Sequence, residues 1–168
     1  MISQSLLPEF DFEITTTRKV LANVPADQFG WRPHEKSFSM GDLASHVANL
    51  LSWAAPTMTS DMLDIEPNGV PWKEPGYDNL EALLAAFDAN AKAAREAIAA
   101  ATDAQFLANW SLAKNGKVMM TLPRAAVIRS FIMNHLVHHR GQLSVYLRLT
   151  GAPVPSIYGP SADDSGGM

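Results

Sequence analysis

Four segments of this chain repeat apolar residues at spacings of three and four, a rhythm that only helices lying side by side can use to form a common core. In the first, Leu7, Phe10, Ile14, Thr17, Leu21 and Val24 draw one stripe, with Pro8 expected in the first turn or just outside it. The second carries Leu43, His46, Leu50 and Trp53 behind the capping-box-like pair Ser39 and Asp42, and Pro56 is expected to help end it. The third presents Leu80, Leu84, Phe87, Ala91, Ala94 and Ile98 after a similar start in Asp78 to Glu81. Its Ala-rich end, "AKAAREAIAAA", favours helix and lets a neighbour approach closely. The fourth runs Ala125, Ile128, Ile132, His135, His139, Gln142 and Tyr146, with Thr121 as its cap, Pro123 in its first turn and Gly151 as its stop.

The connections differ in character. "VPADQFGWRPHEKSFS" reads as a loop, and residues 56–77, with Pro56, Pro67, Gly69, Pro71, Pro75 and Gly76, form a long connection. Asn115-Gly116 is a type I′ turn signal between short runs that can pair, which predicts a small hairpin between the third and fourth helices. Helices with one apolar face each predict an all-α fold: a four-helix bundle of residues 1–168 as one domain, with a long crossover connection and an extended C-terminal tail. The last residues of that tail are expected to be mobile.

Composition narrows the function. Hydrophobic residues at 47% and charged residues at 18% support one sizeable core. The net charge of −4, with no Lys/Arg block, argues against a nucleic-acid partner. The start, "MISQSLLPEF", lacks the pattern of a signal peptide, and no apolar run is long enough to cross a bilayer, so a cytoplasmic protein is expected. The chain has no cysteine; a bound metal must therefore use His, Asp, Glu or water.

Three of the five histidines fall within "MNHLVHHRGQL". His135 and His139 continue an aliphatic stripe, about 40° apart around the axis and one turn apart along it, so both rings can reach one ion. His138 points roughly 80° away from the midpoint of that pair and is a flank residue. His46 lies between Leu43 and Leu50 on the second stripe, and a third imidazole from another helix would make a three-His site with an open coordination position. A lone His on an apolar face is ordinarily a partly buried residue bonded to a carbonyl or carboxylate. Three without partners would each cost about 1–3 kcal/mol, and no acid shares the stripe of the fourth helix. His34 reads as a surface loop residue. Trp53 and Tyr146 could line a pocket or pack the core. Arg140 and Gln142 could orient a ligand, and Arg140 could equally form a salt bridge or a subunit contact.

In "WRPHEKSFSMGDLASHVANL" (31–50), "NHLVHHRGQLSVYLR" (134–148) and "GAPVPSIYGPSADD" (151–164) the chain resembles the DinB/YfiT-like superfamily of metal-binding four-helix bundles. The resemblance carries the family's helix-two ligand onto His46 and its H-x-x-x-H pair onto His135 and His139. It implies a zinc or nickel ion completed by water, a homodimer, and in some relatives thiol S-transferase or isomerase activity with a low-molecular-weight thiol. The expected function is accordingly a metal-dependent transferase that delivers a small thiol to a small-molecule electrophile. The alternatives are a metal-dependent hydrolase, with Asp42 as the nearest candidate base, and a non-catalytic metal-binding or stress-response protein.

Overall fold

The Ser39 hydroxyl accepts the Asp42 N–H at 3.1 Å and donates to the Asp42 carboxylate at 2.6 Å in the computed structural model of the chain, which describes residues 1–165. That cap opens helix α2 (Met40–Leu50), in which only Asp42 and His46 escape full burial. Gly41 makes room for the preceding loop: a Cβ there would stand 2.8 Å from the Phe29 ring. The helical course does not end at Pro56. It tightens into a 3-10 turn at Leu51–Trp53 and continues as α3 (Ala54–Thr59). A continuous α-helix would drive the Pro56 ring against the Ser52 carbonyl, so the geometry changes just ahead of the proline instead.

Helix α1 (Ile2–Ala22) starts earlier than expected, and Pro8 consequently lies inside it. The Gln4 carbonyl that loses its partner there is on the exposed face, where water can serve it. Helix α4 (Leu80–Ala100) is capped by Asn79, whose side chain accepts the Ala82 N–H, and not by Asp78. A short helix, α5 (Asp103–Leu107), follows behind a full capping box of Thr102 and Gln105 that the sequence reading passed over. Helix α1 packs on α4 and on α7 (Asn134–Leu149), and α2 packs on the same two. Phe10, Leu21, Leu43, Val47, Leu83, Phe87, Ile98, Ile132, Leu136 and Leu143 fill the space between them.

The fold is mostly helical but not all-α. Strand β1 (Met62–Asp64), from the long connection, pairs in parallel with β2 (Asn109–Lys114), which pairs antiparallel with β3 (Lys117–Pro123). Asn115 and Gly116 both take positive φ, 50° and 74°, as a type I′ turn demands. The Asp64 carboxylate accepts the N–H groups of both turn residues, at 2.9 and 2.7 Å, which clamps the hairpin tip onto β1. Those backbone donors, with that of Glu66, hold the Asp64 carboxyl below the usual carboxylate range. Thr121 is not a helix cap. It pairs with Ser111 across the ladder, their hydroxyls 2.8 Å apart, and Pro123 ends β3 and precedes the next helix.

The fourth helical course has a defect. Helix α6 (Arg124–Val127) passes into a π turn over Ile128–Met133 before α7 begins. The wider i→i+5 pattern inserts a residue and rotates all that follows. The core stripe of α7 is therefore Leu136, Arg140, Leu143 and Leu147, one residue later than expected. Of the stripe read from sequence, His139 is just buried, His135 and Tyr146 are half-buried, and Gln142 is exposed.

This rotation puts an arginine inside. Arg140 is 1% exposed and ion-paired to Glu13 at 2.6 Å. It also donates to the Thr17 hydroxyl at 3.2 Å and to the Tyr158 hydroxyl at 2.8 Å, while Tyr158 donates to Glu13 at 2.8 Å. The C-terminal tail is thus pinned to α1 and α7 through polar atoms. The expected mobility of the chain end concerns residues 166–168, outside those described. Arg140→Ala should lower stability by about 3–5 kcal/mol, because it strands the Glu13 charge in the core. Adding Glu13→Gln to that variant should restore part of the loss in urea denaturation, which separates charge burial from lost packing.

Candidate metal centre

His46, His135 and His139 come together where α2 faces α7, with ligand-capable atoms all within 4.8 Å of one another. The ring centroids of His46 lie 5.2 Å from those of His135 and 4.6 Å from those of His139. His135 and His139 approach more closely still, Nε2 to Nε2 at 2.8 Å.

Two of the rings are held from behind. The His46 Nδ1 lies 2.7 Å from a Glu74 carboxylate oxygen, and the His139 Nδ1 lies 2.7 Å from the Gln142 side-chain oxygen. The Phe131 backbone, inside the π turn, favours the charged form of the His135 ring, against the burial that lowers it. Glu74 in turn belongs to a strap that α2 fastens down. Asn49 donates to the Pro75 carbonyl at 2.7 Å and accepts from the Tyr77 hydroxyl at 2.9 Å, and the Tyr77 N–H reaches the Ser45 hydroxyl at 3.1 Å. Histidines whose Nδ1–H is engaged by an acceptor present their Nε2 lone pairs forward.

That arrangement is a test of fit. Burial pushes His139 down to about 4, and burial followed by the nearness of His46 lowers His135 from its ordinary value. Both rings are neutral at pH 7. Their Nε2 atoms stand 2.8 Å apart, a separation that one shared proton bridges and at which a cation can take that proton's place. The donor set, three imidazoles and no thiolate, suits a borderline divalent metal.

The chain matches the DinB family model over residues 2–166. The chain belongs to the DinB family. A DinB-like protein from Bacillus cereus has the same fold, with a TM-score of 0.69 at 20% identity over 92% of this chain and 97% of that one. A second DinB-like protein, YjoA of Bacillus subtilis, superposes with a TM-score of 0.67 at 18% identity, covering 88% of this chain and 92% of that one. The uncharacterized protein YrdA of Bacillus subtilis is 24% identical over 159 residues, 94% of this chain and 89% of its own length. These likenesses fix the fold of this DinB protein; the chemistry rests on its own site.

The remaining candidates separate clearly. His138 is exposed and outside the cluster, although its ring lies 4.8 Å from that of His139. His34 sits in the exposed loop, accepting the Lys36 N–H. Asp42 is occupied as the partner of Ser39 at the start of α2. Arg140 makes the buried ion pair with Glu13. Tyr146 packs edge-on to Trp31, and its hydroxyl reaches the Phe38 carbonyl at 3.3 Å. Phe38 stands 6.0 Å from the His46 ring as a half-exposed wall. Glu74 and the Phe131 backbone escaped the sequence reading. An acid in a Pro-rich loop and a peptide carbonyl carry no periodicity, and only the folded strap and the π turn bring them to the rings.

Metal content measured after purification should fall strongly in His135→Ala and His139→Ala and stay near wild type in His138→Ala. Glu74→Gln should keep the site but weaken metal affinity about 10–100-fold, since it withdraws the charge that orients His46. The chelator-treated protein should show the sign of the lowered histidines. Unfolded, these rings titrate near 6.5, so the folded state takes up fewer protons, and stability that is full above that pH is lost as pH falls towards 4. Urea midpoints at pH 7.5, 6 and 5, compared with those of His139→Gln, should diverge on the acid side; parallel curves would show that the ring is solvated.

Proposed function

We propose that this DinB protein is a four-helix-bundle metalloenzyme that holds one divalent ion, zinc or nickel, on His46, His135 and His139 and transfers a low-molecular-weight thiol to an electrophilic small molecule. The observation that carries the reading is the convergence of three imidazoles on one point at the edge of the core, His46 and His139 braced from behind by Glu74 and Gln142. When bound, the metal supplies a Lewis acid that lowers the pKa of a coordinated thiol or water. The chain's own contribution is orientation and shelter. Glu74 and Gln142 set the directions of the His46 and His139 rings, while Phe38, steadied by Tyr146, covers one side of His46. Three protein ligands leave room for an outside group, and a chain without cysteine offers no competing thiolate of its own.

We further propose a cytoplasmic homodimer. Val145 and Leu149, one turn apart on α7, are 55% and 60% exposed, and Phe131 adds a further apolar ring. Among the described residues no helix is long and apolar enough to cross a membrane. Light scattering at micromolar concentration should give twice the chain mass, reduced to the chain mass in Val145→Glu/Leu149→Glu; a wild-type monomer would refute the dimer.

Calorimetry of the zinc- or nickel-loaded protein with small thiols tests the transferase. A free thiol titrates near pH 8.5; below that value binding should release a proton and tighten as pH rises. The enthalpy should therefore vary with the ionisation enthalpy of the buffer. Metal binding without thiol binding would leave hydrolysis, which activity on ester substrates would reveal, or a non-catalytic metal-binding role.

A further inference from the structure

A second cavity lies away from the histidines, between the end of the α2 course and the long connection. Its volume is about 490 Å³, within the range of small-molecule sites, and Trp53, Pro56, Leu63, Ile65, Trp72 and Lys73 line it. The two indoles meet edge to face with centroids 6.2 Å apart, and Trp72 keeps 47% of its surface open. A tryptophan left half-bare in a cavity offers a flat apolar surface that a ligand ring can cover.

The cavity is built rather than a gap in a slack loop. The Ile65 N–H bonds the Ala113 carbonyl and the Trp72 N–H bonds the Ile65 carbonyl, both at 2.9 Å, closing the segment between them into a ring. Asn68 and Gly69 turn it with φ of 55° and 76°. The charges are also sorted. Asp64 has its carboxylate engaged by the hairpin tip, and Glu66 pairs with Lys114 at 3.1 Å. Among the described residues Lys73 makes no ion pair, and its ammonium is the one positive charge that lines the cavity.

We infer that this pocket binds a small planar aromatic carboxylate, its ring against Trp53 and Trp72 and its carboxylate towards Lys73. Such a ligand would sit beside the strap whose next residue, Glu74, holds His46. Trp53 follows His46 by seven residues, about 10 Å along a helical course. The pocket holds such a ligand without the metal, so the probe is added to chelator-treated protein.

The probe is 2-naphthoate, followed by tryptophan fluorescence, with 2-naphthylmethanol as its uncharged counterpart. Saturable quenching by both is expected, the acid binding more tightly. Trp72→Ala should weaken both about tenfold. Lys73→Gln should weaken the acid alone, by roughly threefold. Circular dichroism checks that the variants are folded; Lys73→Gln, an exposed change, decides the matter should Trp72→Ala fail to fold. No saturation at millimolar probe would overturn the inference, as would a Lys73→Gln protein that binds acid and alcohol like wild type.

Discussion

The i→i+5 hydrogen bonding of Ile128–Met133 sets the angular position of every side chain on α7. One residue gained there turns the helix so that Arg140 points into the core and His135 and His139 face the boundary with α2. Neither placement is cheap by itself. The first demands a counter-charge and hydroxyls, supplied by Glu13, Thr17 and Tyr158. The second sets two imidazoles Nε2 to Nε2 at 2.8 Å, a contact that calls for a shared proton or a cation between them.

The two consequences serve one end. A buried ion pair is a poor source of net stability but a strict one, because removing either partner leaves a stranded charge. Here it locks α1, α7 and the C-terminal tail in one rotational setting, and His139, next to Arg140, and His135, one turn before His139, inherit that rigidity. Facing them, α2 is held by nearly complete burial, with Gly41 seated against Phe29. A site made by side chains on two such helices has its ring positions set before any ligand arrives.

The long connection is the third party. It supplies β1 to the sheet, Trp72 and Lys73 to the second cavity, and Glu74 to His46. Pro67, Pro71 and Pro75 limit its unfolded freedom, and bonds from Ser45 and Asn49 fasten its end to α2. A buried asparagine near the end of α2 has its reason here, since both ends of the Asn49 amide are used on the strap.

By itself the sequence determined the main helical courses, the Asn115-Gly116 turn and the meeting of His46, His135 and His139. Each rests on local physics: three-four spacing, the positive φ that Asn-Gly tolerates, and the one-turn offset of an i, i+4 pair. It left undetermined whatever depends on contacts between distant segments. The stripe Ala125 to Tyr146 assumed an unbroken α-helix, and no residue in "IRSFIM" announces the extra residue that the π turn accommodates. Met62–Asp64 becomes a strand only because β2 lies alongside it, and Thr121 joins β3 because pairing with Ser111 outweighs its capping preference. Arg140 could not be assigned to core or surface until Glu13, 127 residues away, was seen beside it. Glu74 reaches His46 across a separation of 28 residues. Periodicity reports which face of an element is apolar; which charge meets which is settled only when tertiary packing brings the elements together.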